Sequence, residues 1–517
     1  MASYLFLLTW LAVMLTSCMG NHMYSDQKPL AETNPFDRMV LDYLYKYTYD
    51  SRHVVANWTN WGNSSSTSDP CTDNWYGITC VEDQSVYYVS GIDLPHHLIP
   101  VLPSEIYQMK HLKTLILTGN YLEYSNFQTG LFTMQTLEVL DISMITDLNI
   151  TLPTRLEMAN LQYLYAYDSQ LNGPLPETWN TPKLQGIVLN DNYLTGQLPV
   201  GISKITGLKQ LMLQNNKLFG NFPPDYGNLH QLTDLSLVQL IDSTPYRRLC
   251  SFLPSSWETM FSLVNVSLCA FGDIPDYIGD TWSQLRLLSV KGGGLNDRIP
   301  ESICKLTELQ ILDLSSNKLE GTIPDCIFKM SSLTHLDLSN NLLSGHISEA
   351  IGDLTNIEQL LLYRNRFNGT LPRNAAKLVN INMLAFENNM LIGELPSEYD
   401  ILRNVARDHK LILYFDGNML SSIGDGLEYL FSDVFYIGLY DNPLECPLPP
   451  YVNYAKCSLC NSGTKRNNCE YCVSAGCGWC SYGNNCIEGT HQGPLSQYTC
   501  PEGHWSFQTC GENLFVQ

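Results

Sequence analysis

The chain has 517 residues, more than one compact globular core usually takes, and 15% of them are charged. Its 51 Asp and Glu outnumber 29 Lys and Arg, giving a formal net charge of −22. Such acidity repels phosphates at long range and argues against nucleic acid or an anionic membrane surface as partner; it fits the solubility of a large exported protein.

At the N-terminus, Tyr4 to Leu15 is apolar and is followed by small residues at Ser17 and Gly20, the pattern of a secretory signal peptide over 1–20 and too short to span a bilayer. Residues 21–88 read as a cap. Asn34-Pro35 can start a helix, with Asn as N-cap and Asp37 near the positive end of the dipole. Val40, Leu41, Leu44 and Tyr47 then recur at helical spacing, as expected of an amphipathic lid on the adjoining domain.

From 89 to 445 the chain is a repeat. The run LQILDLSSNKLEGTIPDCIFKMSS from Leu309 is succeeded by LTHLDLSNNLLSGHISEAIGDLTN and IEQLLLYRNRFNGTLPRNAAKLVN, each 24 residues long. Leu309, Leu312, Leu314 and Leu319 cannot bury themselves within one such unit, so units must stack into a solenoid. Asn317, Asn341, Asn365 and Asn389 recur at the turn after the strand, where an amide can satisfy backbone groups of two units. Extending the register places coil starts at Val89, Leu112, Leu137, Leu161, Leu184, Leu208, Leu232, Leu263, Leu285, Leu309, Leu333, Ile357, Ile381, Lys410 and Val434, about fifteen coils. The steps from Leu232 and from Ile381 are longer than the rest and hold insertions. At the Asn position six coils carry His97, Ile145, Ser169, Leu240, Phe271 and Gly293, so the amide ladder is expected to break over coils seven to nine. There the insertion Leu240 to Phe252 carries Tyr246, Arg247 and Arg248, expected as a bend or exposed loop.

The pattern L-x-x-L-x-L-x-x-N-x-L with a trailing G-x-[IL]-P resembles the plant-type leucine-rich repeat. DPCTDNWYGITC, from Asp69 to Cys80, closely resembles the N-terminal cap of the same family. The resemblance implies an α/β repeat solenoid, a leucine-rich repeat superhelix with a concave parallel β-sheet and a helical N-terminal cap, and it implies a bridge from Cys71 to Cys80. Cys304 and Cys326 occupy comparable places in adjacent coils, within disulfide reach, and the surrounding wording is similar to plant receptor-like proteins that carry a pair there. Cys250 and Cys269 flank the long seventh coil; pairing staples the insertion to coil eight, and two buried thiols are the alternative.

NPLEC at 442–446 resembles the start of a C-terminal cap or linker over 446–459, in which Cys446 can pair with Cys457. Eight cysteines remain in 460–510, ahead of a tail at 511–517, and the core CEYCVSAGCGWCSYGNNC is similar to the plexin-semaphorin-integrin (PSI) domain. A segment this short lacks the apolar core to fold without disulfides. Family connectivity implies Cys460 with Cys477, Cys469 with Cys510, Cys472 with Cys486, and Cys480 with Cys500; spacing alone leaves 105 pairings open. Zinc binding or redox activity by the C-x2-C steps needs reduced thiols, which an exported chain does not keep. With Cys18 removed in the signal, sixteen cysteines remain, and Asn57, Asn63, Asn149, Asn265 and Asn368 are glycosylation acceptors by sequence.

No catalytic motif stands out, and the expectation is no catalytic residue, no metal and no cofactor. His96-His97 lacks a third ligand at zinc spacing, and an exposed turn explains the pair equally well. Asp313 and Asp337 stand one coil apart on the strand face, a pairing that glycoside chemistry would use, but LDLS is common wording for this repeat. KGGGLNDR, Lys291 to Arg298, lacks a strand-loop-helix setting for phosphate and reads as a relaxed turn.

Function is then read from the surface. Residues between the strand leucines line the concave face, and there the chain offers Tyr163, Tyr165, Tyr167, Tyr363, Tyr414, Tyr436 and Tyr440 as ligand contacts. The expectation is a secreted, non-enzymatic recognition protein for an extracellular peptide, glycan or protein, with no stable membrane insertion of its own. Alternatives are an inhibitor of a foreign secreted enzyme, as the similar polygalacturonase-inhibiting proteins are, or the ectodomain of a signalling receptor. PSI modules in receptors imply a spacer role for the C-terminal module.

Overall fold

The computed structural model describes residues 32–52, 61, 68–122, 129–145, 148–239, 248–408, 410–445 and 448–452, and short strands between 478 and 506. The signal segment, Asn57, Asn63, the insertion residues 240–247, Cys446, Cys457, and Cys460, Cys469, Cys472, Cys477, Cys500 and Cys510 lie outside the described residues.

One sheet of sixteen strands runs the length of the repeat. Its strands are β1 Ile78–Asp83, β2 Val86–Asp93, β3 Thr114–Ile116, β4 Val139–Asp141, β5 Tyr163–Tyr165, β6 Gly186–Val188, β7 Gln210–Met212 and β8 Asp234–Ser236. They continue as β9 Asn265–Leu268, β10 Leu287–Val290, β11 Ile311–Asp313, β12 His335–Asp337, β13 Gln359–Leu361, β14 Met383–Ala385, β15 Ile412–Tyr414 and β16 Tyr436–Gly438. β1 and β2 are antiparallel; every later pair is parallel and in chain order. From β3 to β16 each strand opens two residues after a coil start of the repeat register.

The register stacks Leu288, Leu312, Leu336, Leu360, Leu384, Leu413 and Ile437 in one column, all essentially sealed from solvent. A leucine stripe one residue wide is all that a coil can bury by itself, so stacking supplies the hydrophobic free energy of the fold. Most coils return through a short 3₁₀ helix opposite the strand, such as Glu301–Lys305, Asp325–Lys329 and Arg373–Lys377, entered from Pro300, Pro324 and Pro372. The proline of the repeat fixes the φ of the residue before the turn and donates no hydrogen bond there. Ile303, Ile327 and Ala375 of these turns are buried from the other side.

Asparagine amides hold the turn after most of the strands. Asn341 donates Nδ2 to Leu314 O at 3.0 Å and Leu338 O at 3.1 Å, and accepts Leu319 N–H at 3.0 Å. Asn120, Asn192, Asn216, Asn317, Asn389, Asn418 and Asn442 act likewise. The expected gap over coils seven to nine is narrower than the letters imply. Gln239, one residue before the Leu240 position, donates to Leu213 O at 3.1 Å and Leu237 O at 2.8 Å and accepts from Asn216 N–H at 3.1 Å; its longer arm substitutes for the missing Asn. In coil four Ser169 Oγ donates to Ile142 O at 2.8 Å. In the KGGG turn the amides of Gly293 and Gly294 donate to Asn317 Oδ1.

The N-terminal helix α1, Pro35–Arg52, packs Val40, Leu41 and Leu44 into the end of the solenoid. Asn34 Oδ1 accepts the Phe36 N–H at 3.0 Å, as an N-cap does. Asp37 also reaches beyond its own helix, because its Oδ2 accepts the Val89 N–H at 2.9 Å and ties the helix to β2. Cys71–Cys80, Cys250–Cys269 and Cys304–Cys326 are disulfides, with Cα–Cα distances of 5.7, 4.7 and 5.8 Å. In the C-terminal module Gly478–Cys480 pairs antiparallel with Asn485–Ile487 and with Trp505–Ser506, which places Cys480 and Cys486 on adjacent strands. Among the described residues no helix is long and apolar enough to cross a membrane.

Candidate recognition surface

Leucine at every second strand position leaves the alternate positions on the concave face, in rows that cross the coils. One row reads Tyr165, Val188, Met212, Ser236, Ser267, Ser289, Asp313, Asp337, Leu361, Ala385, Tyr414 and Gly438. Its middle is serine and aspartate, and tyrosines stand towards both ends.

Tyr163 and Tyr165 lie at 5.9 Å with rings 2° apart, a stacked pair on β5, and Tyr167 is half-buried just beyond. Burial, with Tyr163 and Asp141 adding to it, pushes the Tyr165 phenol well above its ordinary value; burial and Asp141 act the same way on Tyr167. Ten strand spacings away, Tyr414 and Tyr436 meet at 5.2 Å, and the exposed Tyr440 follows two residues after β16. At about 4.8 Å per spacing the two groups stand roughly 48 Å apart along the sheet. Tyr363 lies nearer the second group, two residues after β13. The seven tyrosines thus make two clusters, and no single row holds them all.

Sequence reasoning passed over two carboxylates beside the second cluster. Glu387 and Asp416 each fall two residues after their strand, in the same row as Tyr363 and Tyr440. Asp416 Oδ1 accepts the Tyr440 N–H at 2.7 Å, and its carboxylate lies over Gly438, where a Cβ would sit 2.0 Å from Oδ2. Burial, together with the Asp416 charge, pushes Glu387 up to about 7 against the opposing pull of Arg364. Burial also raises Asp416, opposed by the Tyr440 amide. The register was the signal that could have found them, because it aligns both with Tyr363.

Asp313 and Asp337 are engaged locally: their Oδ1 atoms accept the Ser315 and Ser339 amides at 3.0 and 2.9 Å. Lys291 Nζ stands 3.9 Å from Asp313. Burial raises Asp337, and this pair reads as part of the strand-to-turn geometry. His97 is buried, stacked on Tyr76 at 5.5 Å, with Nδ1 2.7 Å from Pro95 O, so the exposed-turn reading of it is corrected. The turn folds over Tyr76 of the cap. Of the described sequons, Asn149 and Asn368 are exposed, whereas Asn265 sits in β9 on the concave face and donates Nδ2 to Asp234 Oδ1 at 2.6 Å.

A family model, Leucine rich repeat, matches residues 283–343 and 307–367. Receptor-like protein 41 of Arabidopsis thaliana is 26% identical over 216 residues, 36% of this chain and 24% of that protein. The chain therefore spans a quarter or less of the curated relatives it matches. The crystal structure of PEPR1-AtPEP1 is similar with a TM-score of 0.61 and 28% identity over 79% of this chain and 59% of that one. The leucine-rich repeat ectodomain of the Arabidopsis receptor kinase HAESA, solved in complex with an IDA peptide hormone ligand, aligns with a TM-score of 0.53 and 20% identity over 80% of this chain and 79% of that one. Stacked leucine column, asparagine ladder and fold likeness lead to one conclusion: this chain is a leucine-rich repeat solenoid, similar in fold to plant receptor ectodomains.

Proposed function

We propose that the protein is an extracellular, non-enzymatic recognition protein that binds an extended peptide along its concave sheet. The observation that carries this reading is the pairing of two tyrosine clusters, Tyr163, Tyr165 and Tyr167 at one end and Tyr363, Tyr414, Tyr436 and Tyr440 at the other, roughly 48 Å apart. Tyrosine supplies broad contact area at low entropy cost, which suits recognition. An extended strand rises about 3.3 Å per residue, so a segment of about 15 residues engages both clusters. A fold shared with an ectodomain that holds a peptide hormone agrees with this.

The C-terminal cysteines form, in this proposal, a PSI-like spacer over 460–510, and Asn149 and Asn368 are glycosylated away from the ligand. The test is capture from native extracellular fluid with the purified protein as bait, and then sequencing of the retained material. Retention of a peptide or an extended protein segment supports the reading. Retention of an intact enzyme whose activity is abolished replaces it with the inhibitor reading.

A further inference from the structure

The outer flank of coils ten to fourteen carries a second parallel sheet of five short strands, and its surface changes character along the chain. Its first strand, Glu320–Gly321, shows a carboxylate to solvent, whereas Met390, Ile392 and Met419 further on are 43%, 48% and 54% exposed. Leu391 and Leu420 already give the strands Met390–Leu395 and Met419–Ile423 their core contact, so the three outer side chains form an apolar patch that the core does not require. The register sets this patch beside one asparagine. Asn368 pairs with Met390 and Thr370 with Ile392, and Ile392 pairs in turn with Met419. Asn368 and Thr370 share the solvent side with Met390 and Ile392, because Phe367 and Leu391 of the same strands are buried. From Asn368 the backbone of Met390 is about 4.8 Å away and that of Met419 roughly 12 Å. Asn368-Gly369-Thr370 is a glycosylation sequon, and Asn368 stands open to solvent, unlike Asn265, whose Nδ2 is bonded to Asp234.

We propose that the N-linked glycan of Asn368 folds back over the outer sheet and covers Met390, Ile392 and Met419. The inference rests on the glycosylation of Asn368 in the reading above and assigns that glycan a place on the molecule. A pyranose ring is polar at its rim and apolar over its C–H faces, and the acetamido methyl of the first sugars adds to the apolar side. Laid flat on the patch, the sugars take apolar surface out of water while their hydroxyls stay hydrated. Methionine suits this contact, because its unbranched thioether adapts to the shape of what covers it. The covalent tether turns a weak encounter into an intramolecular contact at high effective concentration, so little free energy per sugar is needed. Covered in this way, the flank of coils twelve to fourteen is withdrawn from protein partners.

The methionines themselves report on the cover, because hydrogen peroxide converts exposed thioethers to sulfoxides. Full-length protein secreted by mammalian cells is compared with N368Q and T370A, which remove the sequon, with T370S, which keeps it, and with N149Q, which removes a different one. Peptide mass spectrometry reads the occupancy of Asn368 and the sulfoxide at each methionine, with Met39 of α1, 49% exposed, as the reference in every sample. Met390 and Met419 are expected to oxidise about fivefold more slowly than Met39, or slower still, in the parent protein, T370S and N149Q, and within roughly twofold of Met39 in N368Q and T370A. Peptide N-glycosidase acting on the folded parent protein makes the same comparison without a substitution. Slow oxidation that survives loss of the glycan shows a different cover, such as a second copy of the chain, and overturns the proposal. Fast oxidation with Asn368 occupied also overturns it, and in both cases glycosylation of Asn368 stands. An unoccupied Asn368 overturns the glycosylation and the cover together.

Discussion

Replacing Asn341 by alanine isolates one rung of the ladder on which the turns depend. Of its three carbonyl acceptors, Ser339 O at 3.2 Å also takes the Ser316 N–H at 2.9 Å, and the two nearer ones are shared within the ladder: Leu314 O also takes Asn317 Nδ2 at 3.0 Å, and Leu338 O also takes Asn365 Nδ2 at 2.9 Å. Alanine therefore leaves all three carbonyls with a partner. The Leu319 N–H has only the Asn341 oxygen in this network, and it is the group stranded in a buried place. A stranded donor costs about 1–3 kcal/mol, and the two weakened acceptors add about 1 kcal/mol, so N341A should cost about 2–4 kcal/mol. Because a solenoid unravels by segments, the assay is native-state hydrogen exchange and not one global midpoint. The Leu319 amide should exchange about 30-fold faster or more, while the Leu343 amide, held by Asn365 at 3.1 Å, stays protected. N317A/N341A removes both donors from Leu314 O and should cost more than the sum of its parts. Unchanged exchange at Leu319, or equal loss at Leu343, refutes this assignment of the rungs.

Other expectations rest on equally local geometry. Glu387 is raised to about 7 in the fold from an ordinary 4.5, so its stabilising protonated form is complete below about pH 4.5 and lost as pH rises through 7. E387Q should thus match the unmodified protein at pH 4.5 and exceed it by about 1–2 kcal/mol at pH 8, a half-exposed group being partly screened; denaturant unfolding at the two pH values checks this. Removing Cys304–Cys326, which closes a separation of 22 residues, with C304A/C326A should cost about 3 kcal/mol by chain entropy, measured by urea unfolding. G279A places a Cβ 1.8 Å from the Ser302 carbonyl oxygen, a backbone atom of the next coil that cannot step aside, and should lower stability by about 1–3 kcal/mol or more in the same assay.

Much of this architecture was legible because the repeat is written in leucine. A coil that buries Leu312 and Leu336 at the same strand position announces its period, and even the irregular coil at Lys410 keeps strand β15 two residues on. Substitutions that preserve a contact with other chemistry were harder to read. Gln239 performs the work of an asparagine from the preceding position, which a letter-by-letter alignment scores as a break. Asp37 reads as a dipole partner of its helix, yet its bond to Val89 spans 52 residues and needs the cap to be docked. Tyrosines stand out by type, and acidic residues in an acidic chain do not. Glu387 became visible once the row placed it between Tyr363 and Asp416 and burial left one of its oxygens without a donor.

The central claim is that recognition belongs to the concave tyrosines. Its most direct test is equilibrium binding of the captured ligand to Tyr165→Ala and Tyr436→Ala, beside Ile392→Ala on the outer strand Met390–Leu395, where Ile392 is exposed as Tyr436 is. Anchors of this kind cost about 2 kcal/mol or more when truncated, so each tyrosine variant should bind roughly 30-fold more weakly or worse, with thermal unfolding unchanged in Tyr436→Ala and with Ile392→Ala neutral. Full affinity in both tyrosine variants, with binding lost in Ile392→Ala or on deletion of residues 453–517, would place recognition on another surface and contradict the account.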